Sequence, residues 1–90
     1  MYLNYRPDER YPINWNARRH AVFKAVGYRC QMCGRYAKGQ LHYHHIRPIG
    51  CGGGHSPRNM VPICDMCHAF IHSGNYEGPF LDLSKCKGYL

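Results

Sequence analysis

Residues 64–72 read "CDMCHAFIH", and two ligand spacings overlap within them. Cys64 and Cys67 are separated by two residues, the spacing that lets a turn aim both sulfurs at one tetrahedral ion. His68 and His72 stand four apart, which on a helix puts them on one face, one turn above the other. If that helix starts near Cys64, the thiol pair and the imidazole pair point roughly 90° apart. One short helix can therefore serve two separate metals, and the rest of the chain has to supply the missing ligands.

The missing thiols lie upstream. Cys30 and Cys33 form a second CxxC pair, and the two pairs together make a closed four-thiolate site for a structural zinc. The long gap between the pairs has to hold a folded insert. Cys51 and Cys86 have no partner at ligand spacing and are read as incidental thiols without a role. The opening "MYLNYRPDERYP" has no apolar core of the kind a secretory leader carries. The expectation is an intracellular protein, in the cytoplasm of a bacterial or phage-infected cell, where metal binding is favoured over a disulfide framework.

The missing histidines sit in "HYHH", residues 42–45. This stretch reads as a strand, and successive strand side chains face opposite ways. His44 and His45 then cannot both ligate one ion: one joins His68 and His72, and its neighbour keeps a free imidazole. A three-histidine site leaves positions open for water and substrate. A free imidazole beside it, with an ordinary pKa of about 6.5, suits a general base. His42 shares a face with His44 but is read as a partly exposed strand residue rather than a fourth ligand. Arg47 alternates onto the side of His45, where a guanidinium can grip a phosphate. His20 reads as a surface residue and His55 as part of a mobile loop.

Around these motifs the chain divides into an extended arm over 1–14, a domain over 15–74 and a tail over 75–90 that packs back. Ala17, Ala21, Val22, Ala25 and Val26 recur at helical spacing, with Asn14 or Asn16 as cap and Gly27 as the left-handed stop. "GCGGGHSPRN", residues 50–59, is a glycine-rich loop. "MVPI" is expected to be a short extended or irregular piece, because Pro62 cannot donate to a ladder. Twelve Lys and Arg against five Asp and Glu give a net charge of +7 in 90 residues, which suits a polyanion such as nucleic acid. No run is long enough to span a membrane.

Taken together, "CQMCG…LHYHHIRPIGCGGGHSPRNMVPICDMCHAFIH", with its "W…R…V…GYRCQMCG" lead-in, resembles the HNH endonuclease family over about residues 15–73. The variant it resembles carries a structural zinc on four cysteines, as many phage, restriction-type and homing-type enzymes of that family do. The resemblance implies a small α+β zinc-stabilised domain: a ββα-metal (His-Me finger) core preceded by a helix. It implies DNA phosphodiester hydrolysis leaving 5′-phosphate and 3′-hydroxyl ends. By position it assigns His45 as general base, Asn59 as the residue that orients it, and His44, His68 and His72 as ligands of the catalytic ion. Mg²⁺ or Mn²⁺ is expected there, while Ni²⁺, Co²⁺ or Zn²⁺ also suits three imidazoles. The expected partners are DNA and, for specificity, a second copy or a phage or restriction protein, with no membrane. The rival readings are a zinc-stabilised DNA-binding module without catalysis and a secreted disulfide-linked toxin.

Overall fold

A computed structural model describes residues 13–84 and 86, so the expected arm over 1–14 lies almost wholly outside the described residues. The element order is α1 (Trp15–Ala25), β1 (Leu41–His45), β2 (Met60–Cys64) and α2 (Asp65–Ile71), with single 3₁₀ turns at Ile49–Cys51 and Pro57–Asn59. β1 and β2 form a two-stranded antiparallel ribbon in which His44 lies opposite Val61 and His45 opposite Met60. This is the small α+β, ββα arrangement expected. Among the described residues no helix is long and apolar enough to cross a membrane.

Pro62 sits inside β2, opposite Tyr43. Its carbonyl accepts from the Gln31 N–H at 2.9 Å, away from β1. A residue's N and C=O point to the same side of an antiparallel strand, so the donor that proline lacks would have faced outward anyway. The ladder therefore loses nothing, and the segment is a true strand rather than an irregular piece.

The first helix differs from its expected face. Its one buried residue is Phe23, while Ala17, Ala21 and Ala25 are exposed. Methyl groups are too short to bridge to a narrow ribbon; Phe23 reaches the Tyr43 ring edge-on at 6.0 Å. Asn14 stands at the cap position, but it is its carbonyl that accepts from Arg18 at 3.0 Å, with no side-chain cap bond. The stop is as expected: Gly27 takes φ +66°, and Tyr28 follows it into the left-handed region at +59°.

The core is organised by sulfur. Cys30, Ala37, Ile63, Cys64 and Ile71 are buried together, with Met32, Leu41, Val61, Tyr76, Phe80 and Leu81 packed around them. The Cys30, Cys33, Cys64 and Cys67 sulfurs all lie within 4.8 Å of one another, and Cys33 and Cys64 approach to 3.9 Å. A tetrahedral ion with Zn–S bonds of about 2.3 Å would set its sulfurs about 3.8 Å apart, so the cluster fits such an ion. The thiols are not equivalent. Burial opposes the Cys64 thiolate, yet hydrogen bonds from the Cys67 N–H and the Arg35 guanidinium outweigh it and bring the group to about 6. Burial, followed by bonding to its neighbouring thiols, pushes Cys67 up.

Cys51 and Cys86 are not incidental. They form a disulfide across 35 residues of sequence. Local ligand spacing carries no information about a pair closed only by the return of the C-terminal segment. That segment is also held by Asp82 N–H donating to Ile46 O at 2.8 Å and by an Arg47–Asp82 ion pair at 3.2 Å.

Two outcomes are expected. Cys64→Ala, at a fully buried position, should abolish metal retention and cooperative folding, read by metal content per chain and thermal melting. Cys86→Ser should lower stability by about 2–4 kcal/mol under oxidising conditions. With a non-chelating phosphine reductant the wild type should fall to the variant's value.

Candidate metal centre and the adjoining histidines

Strand alternation sorts the histidines of β1 onto two faces. His42 and His44 face α2: the ring of His68 lies 4.5 Å from His42 and 5.5 Å from His44. Tyr43 and His45 face α1, where the Trp15 indole lies 5.5 Å from Tyr43 and 6.1 Å from His45. The ribbon is thus clasped between the two helices, each reading one face.

On the α2 side, one nitrogen from each of His44, His68 and His72 lies within 4.8 Å of the others. Helical spacing brings His68 and His72 to 4.6 Å between rings; the strand supplies His44. His44 is 4% exposed, and its Nε2 lies 2.6 Å from the Phe80 carbonyl. A carbonyl only accepts, so Nε2 carries the proton here and the lone pair is on Nδ1. Such a bond from the second ring nitrogen is how metal-binding imidazoles are usually oriented. Burial, and after it the neighbouring imidazoles His42, His72 and His44, holds His68 down at about 4. Burial also lowers His44, against the Phe80 hydrogen bond. The lowered imidazoles of His44 and His68 keep their lone pairs, and with the His72 nitrogen beside them they form a donor set that fits a divalent ion. His42 is exposed, lies nearly parallel on His68 (16°), and is not one of the three.

His45 reaches the same place from the other face. One open cleft of about 200 Å³ is lined by His44, His45, His68 and His72 together with Tyr43, Pro48 and Ile49. Burial, then the nearby His55 and His44, holds the His45 imidazole below its ordinary value. His55, expected in a mobile loop, instead sits with Nδ1 3.0 Å from His45 Nε2. No local signal marked it, because a histidine among glycines looks like solvent-facing loop.

Asn59 closes the other end of the loop as a two-sided clamp. Its Oδ1 accepts from Arg47 N at 2.8 Å, and its Nδ2 donates to Arg47 O and Gly54 O, each at 2.9 Å. Its backbone carbonyl accepts from Ile46 N at 2.8 Å. The clamp therefore grips the chain just past His45. Gly53 makes it possible: a Cβ there would land on the Arg47 carbonyl and crowd Asn59 Nδ2. Arg47 itself is half-buried, its guanidinium turned to Asp82. The Ser84 hydroxyl and N–H, then Arg47, hold the Asp82 carboxyl down at about 2.

Gly53→Ala should therefore displace the Asn59 side chain while the sulfur core persists. Expected is a loss of about 1–3 kcal/mol by chemical denaturation, with large amide shifts at Arg47 and Asn59 and unchanged metal content at the cysteines.

Comparison with known proteins agrees with this geometry. The HNH endonuclease family matches residues 30–74, from the first CxxC through the helix that carries His68 and His72. The chain is also 31% identical over 93 aligned residues to a putative COX1/OXI3 intron 2 protein of Saccharomyces cerevisiae (strain ATCC 204508 / S288c). That alignment covers 87% of this chain and 10% of the yeast protein, so the chain spans about a tenth of that relative's length. No solved structure matches. With half of its residues matched, and the ββα order and both ligand clusters within that half, the chain belongs to the HNH endonuclease family.

Proposed function

We propose that this protein is a metal-dependent endonuclease that hydrolyses DNA phosphodiester bonds, with His45 as general base. The observation that carries the reading is the shared cleft. Three convergent imidazoles and a fourth, differently employed one line the same opening, and among the described residues no carboxylate lines it. His45 takes a proton from the attacking water, and the electron pair so freed forms the new P–O bond in line with the leaving 3′-oxygen. His44, His68 and His72 would hold the divalent ion. Bound there, it would offset the negative charge that develops on the phosphate and the leaving oxygen. Asn59 keeps the strand end and loop in register, so that His45 stays beside the cluster. Arg47 serves as a phosphate contact by exchanging Asp82 for the substrate's anion. Zn²⁺ is the ion proposed for the four cysteines, and Mg²⁺ or Mn²⁺ for the imidazoles, with 5′-phosphate and 3′-hydroxyl ends as products.

The charge of +7 is consistent with a DNA substrate but serves equally for a binding module without catalysis. Supercoiled plasmid separates the two readings. In Mg²⁺ or Mn²⁺ the wild type should convert it to nicked or linear forms. His45→Ala should slow this by about 10²–10⁴-fold while retaining the fold and the cysteine-bound metal. If the protein shifts DNA on a gel yet cuts it with none of Mg²⁺, Mn²⁺, Co²⁺, Ni²⁺ or Zn²⁺, the binding-module reading stands instead.

A further inference from the structure

His55 has no counterpart among the ligand and base positions, yet it lies within hydrogen-bonding distance of His45. Its Nδ1 lies 3.0 Å from His45 Nε2. Trp15 holds both rings: it lies nearly parallel to His45, 12° between planes, and edge-on to His55, with centroids 5.0 Å apart. The three side chains come from the start of α1, the end of β1 and the glycine-rich loop. That loop is tethered at Cys51 by the disulfide and at Gly54 by Asn59.

A neutral imidazole has one N–H and one lone pair. For His45 to take a proton from water, one ring nitrogen has to present the lone pair while the other holds its proton against an acceptor. We propose that His55 is that acceptor: a positioning residue whose Nδ1 lone pair receives the His45 Nε2–H. This fixes the tautomer in which His45 Nδ1 is the basic nitrogen. The inference rests on the nuclease reading, which is what requires His45 to offer a lone pair; the tautomer itself is read without activity. His55 then carries its own proton on Nε2. When His45 Nδ1 gains the proton from water, its charged ring donates more strongly through Nε2–H to His55, which stabilises the imidazolium as it forms. The logic is that of an oriented base in which a neutral imidazole stands where a carboxylate often does.

Long-range ¹H–¹⁵N correlation spectra of the folded, zinc-loaded, ¹⁵N-labelled protein in Mg²⁺ read the His45 tautomer without requiring activity. Three proteins are compared: wild type, His55→Phe, which keeps a ring against Trp15 but has no acceptor, and His55→Asn, whose Oδ1 stands close to where Nδ1 was. The wild type and His55→Asn should show His45 as the Nε2–H form, and His55→Phe a mixture of both forms. In plasmid cleavage His55→Phe should lose about 10- to 100-fold in kcat with KM nearly unchanged, and His55→Asn should recover most of it. An Nδ1–H tautomer in the wild type overturns the proposal, as does an unchanged tautomer ratio in His55→Phe. So does faster cleavage by His55→Phe, which would make His55 a cap on the base. If the wild type cuts nothing, the nuclease reading fails, and the spectra still decide what His55 does to His45.

Discussion

Everything in this fold depends on four sulfur atoms being held together. A two-stranded ribbon is marginal on its own, and a 90-residue chain buries only a modest core. Here Cys30 and Cys64 are at once core residues and cluster members, packed with Ile63 and Ile71. The cluster joins the turn after α1 to the junction of β2 and α2. Each histidine of the imidazole cluster is attached to one of those joined pieces: His44 through the ladder, and His68 and His72 through the helix that starts beside Cys64. Loosening the sulfurs therefore loosens the imidazole geometry, although the two clusters share no residue.

The ribbon then divides the chemistry. Because adjacent strand residues face opposite ways, His44 and His45 present one imidazole to α2 and one to α1. In the proposed function, neighbours in sequence thus serve as ligand and base without competing for the same ion. What aims each ring is contributed from elsewhere. Phe80 O lies against His44, His55 and Trp15 against His45, and Asn59 grips the backbone beyond it. The C-terminal segment, held by the disulfide and by Asp82, is part of this scaffold. The family match spans residues 30–74, yet Trp15, Phe80 and Asp82, which orient the site from outside, lie beyond it.

Arg47 is held at the border of the site from two sides. Its backbone is clamped by Asn59 and its guanidinium by Asp82. A cation parked on a carboxylate keeps its place at the site's border. In the function proposed for Arg47 it would exchange that carboxylate for a phosphate, which costs little when one anion replaces another at a half-exposed position.

The sequence by itself determined which residues can chelate. CxxC, HxxxH and strand alternation are local rules, set by the geometry of a turn, a helical turn and a pleat; they led to the four cysteines, His68 and His72, and left His44 and His45 as alternatives between which the family resemblance chose. Strand β1, helix α2 and the left-handed stop at Gly27 were legible for the same reason. Tertiary structure alone decided the rest. Pro62 was compatible with a strand only because its missing donor faces outward. α1 docks through Phe23 because an alanine face is too shallow to reach the ribbon. The Cys51–Cys86 bond, the fit of Gly53 under the Asn59 clamp and the pairing of His55 with His45 bring together residues from distant segments or depend on a close approach of backbone. No periodicity records such contacts. The chain states which atoms can bind a metal, whereas the folded packing decides which nitrogen of each imidazole is left to do so.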